Sequence, residues 1–479
     1  MIGTVISSTD SICEVELDPL YEPKVGDWFS INGNFAQLES YSYNRKRELR
    51  AIVPFFSASL FASAPIPPGT QVNPLSEGFC RKENGIPVGF YMSTKNRFPM
   101  YLDLDYVTGP HAAHMNASGL SGAATKTSFL MSTLWAISKL VLESCRIIVN
   151  NKQQDLMNIH QSSKVPVDQE YYDLIGLKSE PFTNVKYYAS YGSPSLKRKD
   201  VKPFGFSIET GFASLGTVFC NLKDDSRTIV SLCERLIRDK DAFPAEFGDY
   251  KNWEAIWTEA PLAEDLTNPN SYSYFGKQTV QRFVREAQLI LKNQNTGVFL
   301  DRERGDVLTL KEIIDDVKAG DTIVLDFSFM SETEQFFCMT ELVKAVYGNI
   351  NSKDRTLPKK VCLFMDELNK YGQAGADAHP IRDLLIEITE RGRSIGVSLF
   401  SAQQMNSHVH KRILGNNATR VSGRAATEEV GKDCYRYLGN QRESLLRLKK
   451  GEMLIYHTPI GNPVRIRFPE PCFMLGNNT

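Results

Sequence analysis

A glycine- and serine-rich segment between a predicted strand and a predicted helix constrains the fold of this 479-residue chain more than any other feature. The segment spans residues 119–127 and reads GLSGAATKT. Residues 112–117 are predicted as a strand, and residues 128–144 carry apolar side chains at the spacing of an amphipathic helix. The apolar run 145–149 indicates a second strand. This order of strand, loop, helix and strand predicts a βαβ unit and a parallel sheet.

The residue types in this segment are those of a phosphate-binding loop, in which backbone N–H groups surround phosphate oxygens at the start of a helix. In such a loop the lysine neutralises charge on the β and γ phosphates, and the hydroxyl that follows it ligates Mg²⁺. We therefore predict that the residues contacting ATP are Gly119, Ser121, Gly122, Ala123, Ala124, Thr125, Lys126, Thr127 and Ser128.

Two departures from the common GxxxxGK(S/T) pattern leave a second interpretation open. The loop is one residue longer when counted from Gly119, and Thr125 stands where the pattern has a glycine. A glycine-rich turn before a helix, without a ligand, fits the same residues. The predicted strand before the loop and the helix after it favour phosphate binding.

A second motif is an apolar predicted strand, residues 361–365, that ends in Asp366 and Glu367. In phosphoryl-transfer enzymes of the P-loop type, an aspartate at this place holds the Mg²⁺ shell. We assign the neighbouring glutamate to the attacking water, as the catalytic base. The alternative is a strand that simply ends in a polar turn. Taken with the loop, the pair predicts a site for ATP and Mg²⁺, with Thr127 and Asp366 at the metal.

Five further polar residues are candidates for the same chemistry. Gln403 ends a predicted strand, where it could orient water or sense the γ phosphate, although a polar strand cap explains it equally well. Arg391 and Arg393 close the helix before that strand, and Arg420 and Arg424 flank a short strand after it. Arginine stabilises charge in a phosphoryl-transfer transition state, within a subunit or from a neighbour. A surface salt bridge is the alternative for each arginine.

The pattern along the chain divides it into three predicted parts. Residues 1–85 contain short alternating runs and frequent turns, which predict a small N-terminal β-barrel. Residues 86–160 and 311–479 alternate strands with long helices, which predicts an α/β core around a parallel-rich sheet. Residues 161–310 combine amphipathic helices with polar loops and predict a mostly helical insertion.

Composition and charge limit the function classes. The 55 basic and 56 acidic residues give a formal net charge of -1, which excludes a surface that is basic all round, so any contact with nucleic acid must be local. The nine cysteines form no CxxC pair, which favours a reducing compartment. Neither a signal peptide nor an apolar run of membrane-spanning length is apparent. We therefore predict a cytoplasmic protein with no membrane anchor.

The order of these features resembles the HerA-like members of the HerA/FtsK superfamily of DNA-pumping ATPases. The resemblance covers nearly the whole chain: a small barrel, a strand with His114 that leads into the phosphate loop, an insertion, and a strand that ends in Asp-Glu. Its most specific parts are ERGRSIGVSLFSAQQ at 390–404 and the closing stretches 448–453 and 464–469.

This resemblance implies a RecA-like P-loop core, an N-terminal domain similar to a HAS barrel, and a homohexameric ring. It also implies double-stranded DNA in the central channel, ATP-driven translocation or helicase activity, and a partner nuclease. In bacterial antiviral systems, members of the family pair instead with a sirtuin-type or other effector.

The family's site residues carry over to matching positions of this chain. Lys126 and Thr127 match the P-loop lysine and the Mg²⁺ ligand. The family's Asp-Glu pair, strand-tip glutamine and nucleotide-sensing arginine correspond to Asp366, Glu367, Gln403, and Arg391 or Arg393. Relatives often carry an arginine before the histidine of the P-loop strand, where this chain has Ala113. Activation across a subunit boundary would then fall to Arg420 or Arg424.

Two functions from different classes fit these residues. The first is a hexameric motor that translocates double-stranded DNA. The second is a ring scaffold that assembles an effector enzyme, with ATP as a ligand switch more than a fuel. DNA-stimulated ATP hydrolysis distinguishes them. A membrane-anchored coupling ATPase for DNA transfer is disfavoured by the absence of an N-terminal membrane span in the sequence.

Overall fold

The fold is described from a computed structural model of the chain. The residues that the structure describes are 1–9, 12–23, 27–32, 34–38, 40–43, 49–56, 66–74, 84–91, 97–122, 125–152, 155–220, 228–242, 252–258, 275–292, 296–302, 304–375 and 380–476.

The N-terminal part of the chain forms an antiparallel sheet that returns on itself. In the order β2-β1-β7-β3-β4-β6-β5, β2 also pairs with β6, so the sheet forms the small barrel that the alternating runs predict. Alternate side chains, among them Val5, Val15, Phe29 and Val72, point inward and form a core of their own. The strands are β1 (Gly3–Ser8), β2 (Ile12–Leu17), β3 (Trp28–Ile31), β4 (Asn34–Gln37), β5 (Ser40–Tyr43), β6 (Leu49–Phe56) and β7 (Gln71–Pro74).

The remaining strands form one large mixed sheet in the order β13-β12-β14-β11-β15-β16-β10-β17-β18-β19-β8-β9. Pairing is parallel from β13 to β17 and antiparallel from β17 to β9. The strands are β8 (Gly85–Tyr91), β9 (Pro99–Asp103), β10 (Met115–Ser118), β11 (Ser144–Asn150), β12 (Val185–Ser190), β13 (Val201–Phe204), β14 (Thr322–Asp326), β15 (Lys360–Met365), β16 (Val397–Gln403), β17 (Thr419–Ser422), β18 (Glu452–His457) and β19 (Pro463–Arg467).

Helices cover both faces of this sheet, because its central strands are apolar on both sides. On β11, Ile147 packs into one core and Ile148 into the other, as expected for a parallel strand that is buried on both faces. The α-helices are α1 (Lys126–Leu140), α2 (Gln169–Ile175), α3 (Ile208–Gly211), α4 (Leu215–Val218), α5 (Thr228–Ala242), α6 (Ala255–Thr258), α7 (Lys277–Leu291), α8 (Leu310–Asp315), α9 (Glu332–Asn351), α10 (Leu368–Tyr371), α11 (Pro380–Ile395), α12 (Lys411–Gly415) and α13 (Thr427–Val430).

Two helices, one on each face of the large sheet, pack against the strands that lead into the functional loops. Helix α1 packs against β8, β10, β11 and β16 on one face, and α11 packs against β16 and α9 on the other. Helix α9 begins with a capping box in which the Ser331 hydroxyl accepts from the backbone N–H of Glu334 and donates to its carboxylate. Among the helices that the structure describes, none is both long and apolar enough to cross a bilayer.

The predicted fold class is confirmed, with small shifts at the element boundaries. The strand before the glycine-rich loop begins at Met115 instead of 112, and the helix after it begins at Lys126 instead of 128. The region 161–310 contributes the strands β12 and β13 to the large sheet in addition to helices. The domain boundaries at 85, 160 and 310 stay a prediction.

Candidate functional site

The site lies at the edge of the sheet where the central parallel strands end. Ser118, the last residue of β10, pairs with Gln403, the last residue of β16, and β16 in turn pairs with β15. Because parallel strands share a direction, the loops that follow β10, β15 and β16 leave the sheet at the same edge. The sheet order therefore brings together the glycine-rich loop, the Asp-Glu pair and the strand-tip glutamine, which the sequence separates widely.

The loop between β10 and α1 requires unusual backbone angles. Gly119 and Gly122 have φ values of 139° and 73°, which glycine adopts without strain. Thr125 also lies in the left-handed region, at φ 47°, although it is β-branched. Phosphate-binding loops commonly have a glycine immediately before the lysine. The positive φ at this position gives the physical reason, because glycine adopts it without steric strain. The predicted contacts Ala123 and Ala124 lie outside the described residues.

Lys126 is the first residue of α1 and its side chain is buried under the loop. Its ammonium donates a hydrogen bond of 2.8 Å to the carbonyl of Gly119, which closes the loop around the lysine. Burial lowers the pKa of Lys126, the nearby Lys152 lowers it further, and the carboxylates of Asp366 and Glu367 oppose that shift. Lys126 is therefore largely shielded from solvent, and its attraction to the carboxylates of Asp366 and Glu367 is stronger there than it would be at the surface.

The side chains of Thr127 and Asp366 meet beside the first turn of α1. The Thr127 hydroxyl donates to Oδ2 of Asp366 at 3.2 Å, and the Asp366 side chain is largely buried. The backbone N–H of Glu367 donates to the other carboxylate oxygen at 2.8 Å. A hydroxyl beside a carboxylate is a donor set that suits Mg²⁺, which prefers oxygen ligands and retains several waters. The predicted metal residues thus fit the ion.

Glu367 has a left-handed backbone, with φ 56°, at the turn between β15 and α10. Its carboxylate contacts two ammonium groups: Lys152 at 3.2 Å from Oε1 and Lys370 at 2.8 Å from Oε2. Burial would raise the pKa of Glu367, but the hydrogen bond from Lys370 and the charge of Lys152 outweigh burial, so the pKa is lowered. Glu367 is therefore an ionised carboxylate at neutral pH, as a base must be. A non-glycine residue in this conformation is a frequent mark of a functional turn.

Gln403 lies in a buried hydrogen-bond network at the end of β16. Its amide nitrogen donates to the side-chain carbonyls of Asn116, at 2.7 Å, and Asn406. Its carbonyl accepts from Asn116 at 2.9 Å, and Asn406 donates onward to Ser118 at 3.1 Å. Both amide N–H groups of Gln403 are thus engaged within the protein. In this conformation the side chain joins β10 to β16 behind the phosphate loop.

The two arginines near β17 differ in position. Arg420 was expected to flank this strand but lies within it, with its guanidinium 5.1 Å from the ring centre of Tyr437. Arg424 follows the strand and is exposed, and its backbone carbonyl accepts from the N–H of Leu120 at 2.7 Å. Arg424 is therefore held directly beside the phosphate loop by the backbone.

Arg391 and Arg393 lie away from the phosphate loop of their own chain. Both belong to the last turns of α11, which runs back to the opposite edge of the sheet before β16 begins. Arg391 forms an ion pair of 2.8 Å with Glu387, and Arg393 donates to the carbonyl of His111, which precedes β10. Within one subunit β10 therefore separates both arginines from the phosphate loop, and their match to a nucleotide-sensing arginine stays a prediction.

Sequence reasoning missed Lys152, Asn116 and Asn151. Lys152 contacts both acidic side chains, and Asn151 donates from its amide to the backbone carbonyl of Asp366 at 3.2 Å. A signal for Asn151 and Lys152 was present, since polar residues follow the apolar run 145–149 directly. That signal acquires meaning only when β11 is known to lie next to β15.

A cleft of about 1280 Å³ opens beside the first turn of α1. It extends from the phosphate loop to the C-terminal stretch of the chain and to the segment after β11. Residues on its wall include Thr127, Ser128, Leu156, Pro166, Phe468 and Pro469. A mixture of hydroxyl, proline and aromatic groups next to a phosphate loop is suited to bind the ribose and base of a nucleotide.

No protein-family model matches the sequence, and no curated protein matches it. Among solved structures, VirB4 of Thermoanaerobacter pseudethanolicus aligns over 80% of this chain and 96% of VirB4, with 12% sequence identity and a TM-score of 0.51. The chain has a RecA-like P-loop fold. This fold places the phosphate loop, the Asp-Glu strand and the strand-tip glutamine at one edge of the sheet, as found here.

Two other solved structures match with lower structural similarity. The bacterial conjugative coupling protein TrwB, in an unbound form, aligns over 76% of this chain and 87% of TrwB, with 11% identity and a TM-score of 0.49. The genome packaging NTPase B204 from Sulfolobus turreted icosahedral virus 2, in complex with AMPPCP, aligns over 33% of this chain and 71% of that chain, with 17% identity and a TM-score of 0.25.

Proposed function

We propose that this protein hydrolyses ATP with Mg²⁺ and that it uses the reaction to move double-stranded DNA through a ring of identical subunits. The observation that carries the nucleotide part is the contact between Thr127 and Asp366, beside the buried Lys126 and the ionised Glu367. In P-loop enzymes, residues of these types neutralise the triphosphate, hold its metal and position a water.

Each of these residues has a distinct task in the proposed reaction. Lys126 neutralises charge on the β and γ phosphates, and the N–H groups of the loop and the first turn of α1 bind their oxygens. Thr127 and Asp366 hold Mg²⁺, which supplies charge neutralisation at the phosphates when bound. Glu367 accepts a proton from the attacking water, since it is ionised and lies beside the metal residues.

The buried network around Gln403 gives that residue a positioning role in the proposal. Asn116 and Asn406 hold its amide, so the ends of β10 and β16 keep a constant separation beneath the phosphate loop. The cleft beside α1 accommodates the ribose and base of the nucleotide. Hydrophobic wall residues there, such as Leu156 and Phe468, provide surface for a base.

The DNA-motor part of the proposal rests on the resemblance to HerA-like ATPases, together with the RecA-like fold. We propose a homohexamer in which the N-terminal barrel, residues 1–85, forms one tier and residues 86–160 and 311–479 form the ATPase tier around a DNA channel. The insertion, 161–310, and a partner nuclease or sirtuin-type effector complete the assembly. In a ring, a few basic residues per subunit suffice to bind DNA in the channel, because the positive charges of all subunits add up there.

A second candidate function is an ATP-binding ring scaffold that regulates an effector with little motor activity. Two observations favour slow turnover: Thr125 occupies a backbone conformation usual for glycine, and both oxygens of Glu367 are paired with lysines. The two candidates differ in whether DNA accelerates hydrolysis.

The decisive experiment measures ATP hydrolysis by the parent chain, Lys126→Ala and Glu367→Gln, with and without double-stranded DNA. Lys126→Ala should abolish nucleotide binding, and Glu367→Gln should bind ATP but not hydrolyse it, because an amide accepts no proton from water. DNA stimulation of the parent supports the motor, and its absence supports the scaffold. Turnover by Glu367→Gln at the parent's rate would refute the site. Light scattering with nucleotide and Mg²⁺ tests the hexamer, and a monodisperse monomer at micromolar concentration would contradict it.

A further inference from the structure

Lys152 contacts both carboxylates of the proposed site, although it belongs to neither of the motifs. It follows β11, the strand next to β15, and so reaches the same edge of the sheet. Its ammonium lies 3.3 Å from Oδ2 of Asp366 and 3.2 Å from Oε1 of Glu367. The same Asp366 oxygen accepts the Thr127 hydroxyl. Lys152 therefore stands against the oxygen that Thr127 shares and that would face the metal.

The two lysines on Glu367 are held differently. Lys370 lies three residues after Glu367 on the short helix α10, so its contact with Oε2 is local. Lys152 comes from another strand, and its side chain is 40% exposed, so its four-carbon stem has room to rotate toward solvent. The Lys370 side chain is similarly exposed, at 38%, but of the two lysines Lys152 is the one that also contacts Asp366, so its withdrawal frees an oxygen of each carboxylate.

We infer that Lys152 is an internal counter-ion, which holds Asp366 and Glu367 before Mg²⁺ and nucleotide bind and leaves both carboxylates when the metal arrives. This inference rests on the proposed function. A divalent cation and an ammonium repel each other strongly at the same carboxylate oxygen, so the two states exclude each other.

Withdrawal of Lys152 has a consequence at the catalytic base. In the contact geometry, each oxygen of Glu367 faces an ammonium group. A general base needs an oxygen within hydrogen-bond reach of the attacking water. When Lys152 leaves, Oε1 becomes available for that water, whereas Lys370 still orients the carboxylate through Oε2. Metal binding and release of the base are thereby coupled through one side chain.

The test is the Mg²⁺ dependence of nucleotide binding, measured without hydrolysis. Binding of a non-hydrolysable ATP analogue is titrated by calorimetry at a series of Mg²⁺ concentrations. Lys152→Met keeps the aliphatic stem and removes the charge, so the half-saturating Mg²⁺ concentration should fall by about 1.5- to fivefold, the range for losing one partly exposed ionic competitor. Lys152→Gln should shift in the same direction, and Lys152→Arg should stay near the parent.

Lys370→Met is the matched control, because it removes a lysine from Glu367 but not from Asp366. It should leave the half-saturating Mg²⁺ concentration near the parent's value. An unchanged or higher Mg²⁺ requirement in Lys152→Met would overturn the inference, and loss of analogue binding would make Lys152 a phosphate ligand instead. Failure of both neutral variants to fold would assign Lys152 a structural role and overturn it too. If the parent itself shows no Mg²⁺-dependent binding, the proposed function fails first.

Discussion

The hydroxyl of Thr127 donates to a carboxylate oxygen of Asp366 across 3.2 Å, although 239 positions separate the two residues in the chain. The contact exists because β10 and β15 are both neighbours of β16 and end at one edge of the sheet. It joins the first turn of α1 to the end of the Asp-Glu strand.

Removal of the Thr127 hydroxyl should weaken metal-dependent nucleotide binding. Loss of a hydrogen-bonding group at a charged partner costs about 1.5 to 3 kcal/mol, which corresponds to about a ten- to hundredfold higher Mg²⁺ requirement in Thr127→Ala. Thr127→Ser keeps the hydroxyl and serves as the matched control. The measurement is analogue binding as a function of Mg²⁺ concentration. Equal Mg²⁺ requirements in Thr127→Ala and Thr127→Ser would remove Thr127 from the metal site.

The acid limb of the pH profile of kcat for ATP hydrolysis should depend on Lys370. Glu367 acts as a base only when ionised, and the Lys370 ammonium helps to hold its pKa below the usual value against the effect of burial. Lys370→Met should therefore raise the pKa of Glu367 and move the acid limb of kcat to higher pH. Lys318→Met, which removes a lysine that pairs with Asp316 at 3.9 Å elsewhere on the surface, is the control. An identical acid limb in parent and Lys370→Met would show that Glu367 does not limit the rate.

Gln403→Ala should reduce stability as well as activity. The substitution leaves buried amide groups of Asn116 and Asn406 without their partner, which costs about 2 to 4 kcal/mol of unfolding free energy. The neighbouring Gln404 is exposed, so Gln404→Ala should change stability little and provides the control. Urea denaturation measures both. If Gln403→Ala retains the parent's stability but loses hydrolysis, Gln403 acts at the phosphate directly and not through the network.

The buried His114 should make the fold sensitive to mild acid. Burial lowers its pKa from the usual 6.5 to about 4, so the folded protein resists protonation that the unfolded chain accepts. The free energy of unfolding is therefore unaffected by His114 above pH 6.5. It decreases as the pH falls from 6.5 toward 4, by up to about 1.4 kcal/mol per pH unit.

Substitution of His114 checks this dependence. His114→Asn retains a residue that tolerates the left-handed backbone, φ 72°, and removes the imidazole. The loss of unfolding free energy between pH 6.5 and 4 should be smaller in this variant than in the parent. His408→Gln removes an exposed imidazole and controls for the substitution itself. Parallel pH profiles for parent and His114→Asn would exclude this histidine as the cause.

Hydrolysis should require an arginine from the neighbouring subunit, and Arg424 is our candidate because its backbone is held beside the phosphate loop. Arg424→Ala and Lys126→Ala should each be inactive alone. When subunits exchange in an equal mixture, about a quarter of the boundaries combine an intact loop with an intact arginine, so about a quarter of the parent rate should return. The same mixing with Arg420→Ala tests the second candidate. No recovery at any ratio, with exchange proven, would place both arginines outside cross-subunit catalysis.

The sequence alone predicted the P-loop class of the core and the candidate residues of its site, because both predictions depend on local patterns. A glycine-rich turn between a strand and a helix, and an apolar strand that ends in Asp366 and Glu367, are each defined within about ten residues of chain. Periodicity likewise predicted the small barrel and the parallel-rich sheet, since the strand and helix repeats differ.

Only the tertiary structure decided which side chains meet. Lys152 acquires its contacts from the pairing of β11 with β15, and Gln403 is enclosed because the side chain of Asn116, on the neighbouring strand β10, hydrogen-bonds to its amide. Arg393, close in sequence to the site strands, lies at the other edge because α11 runs back across the sheet. The order of strands in a sheet follows from packing between distant segments, and no local repeat in a single sequence encodes it.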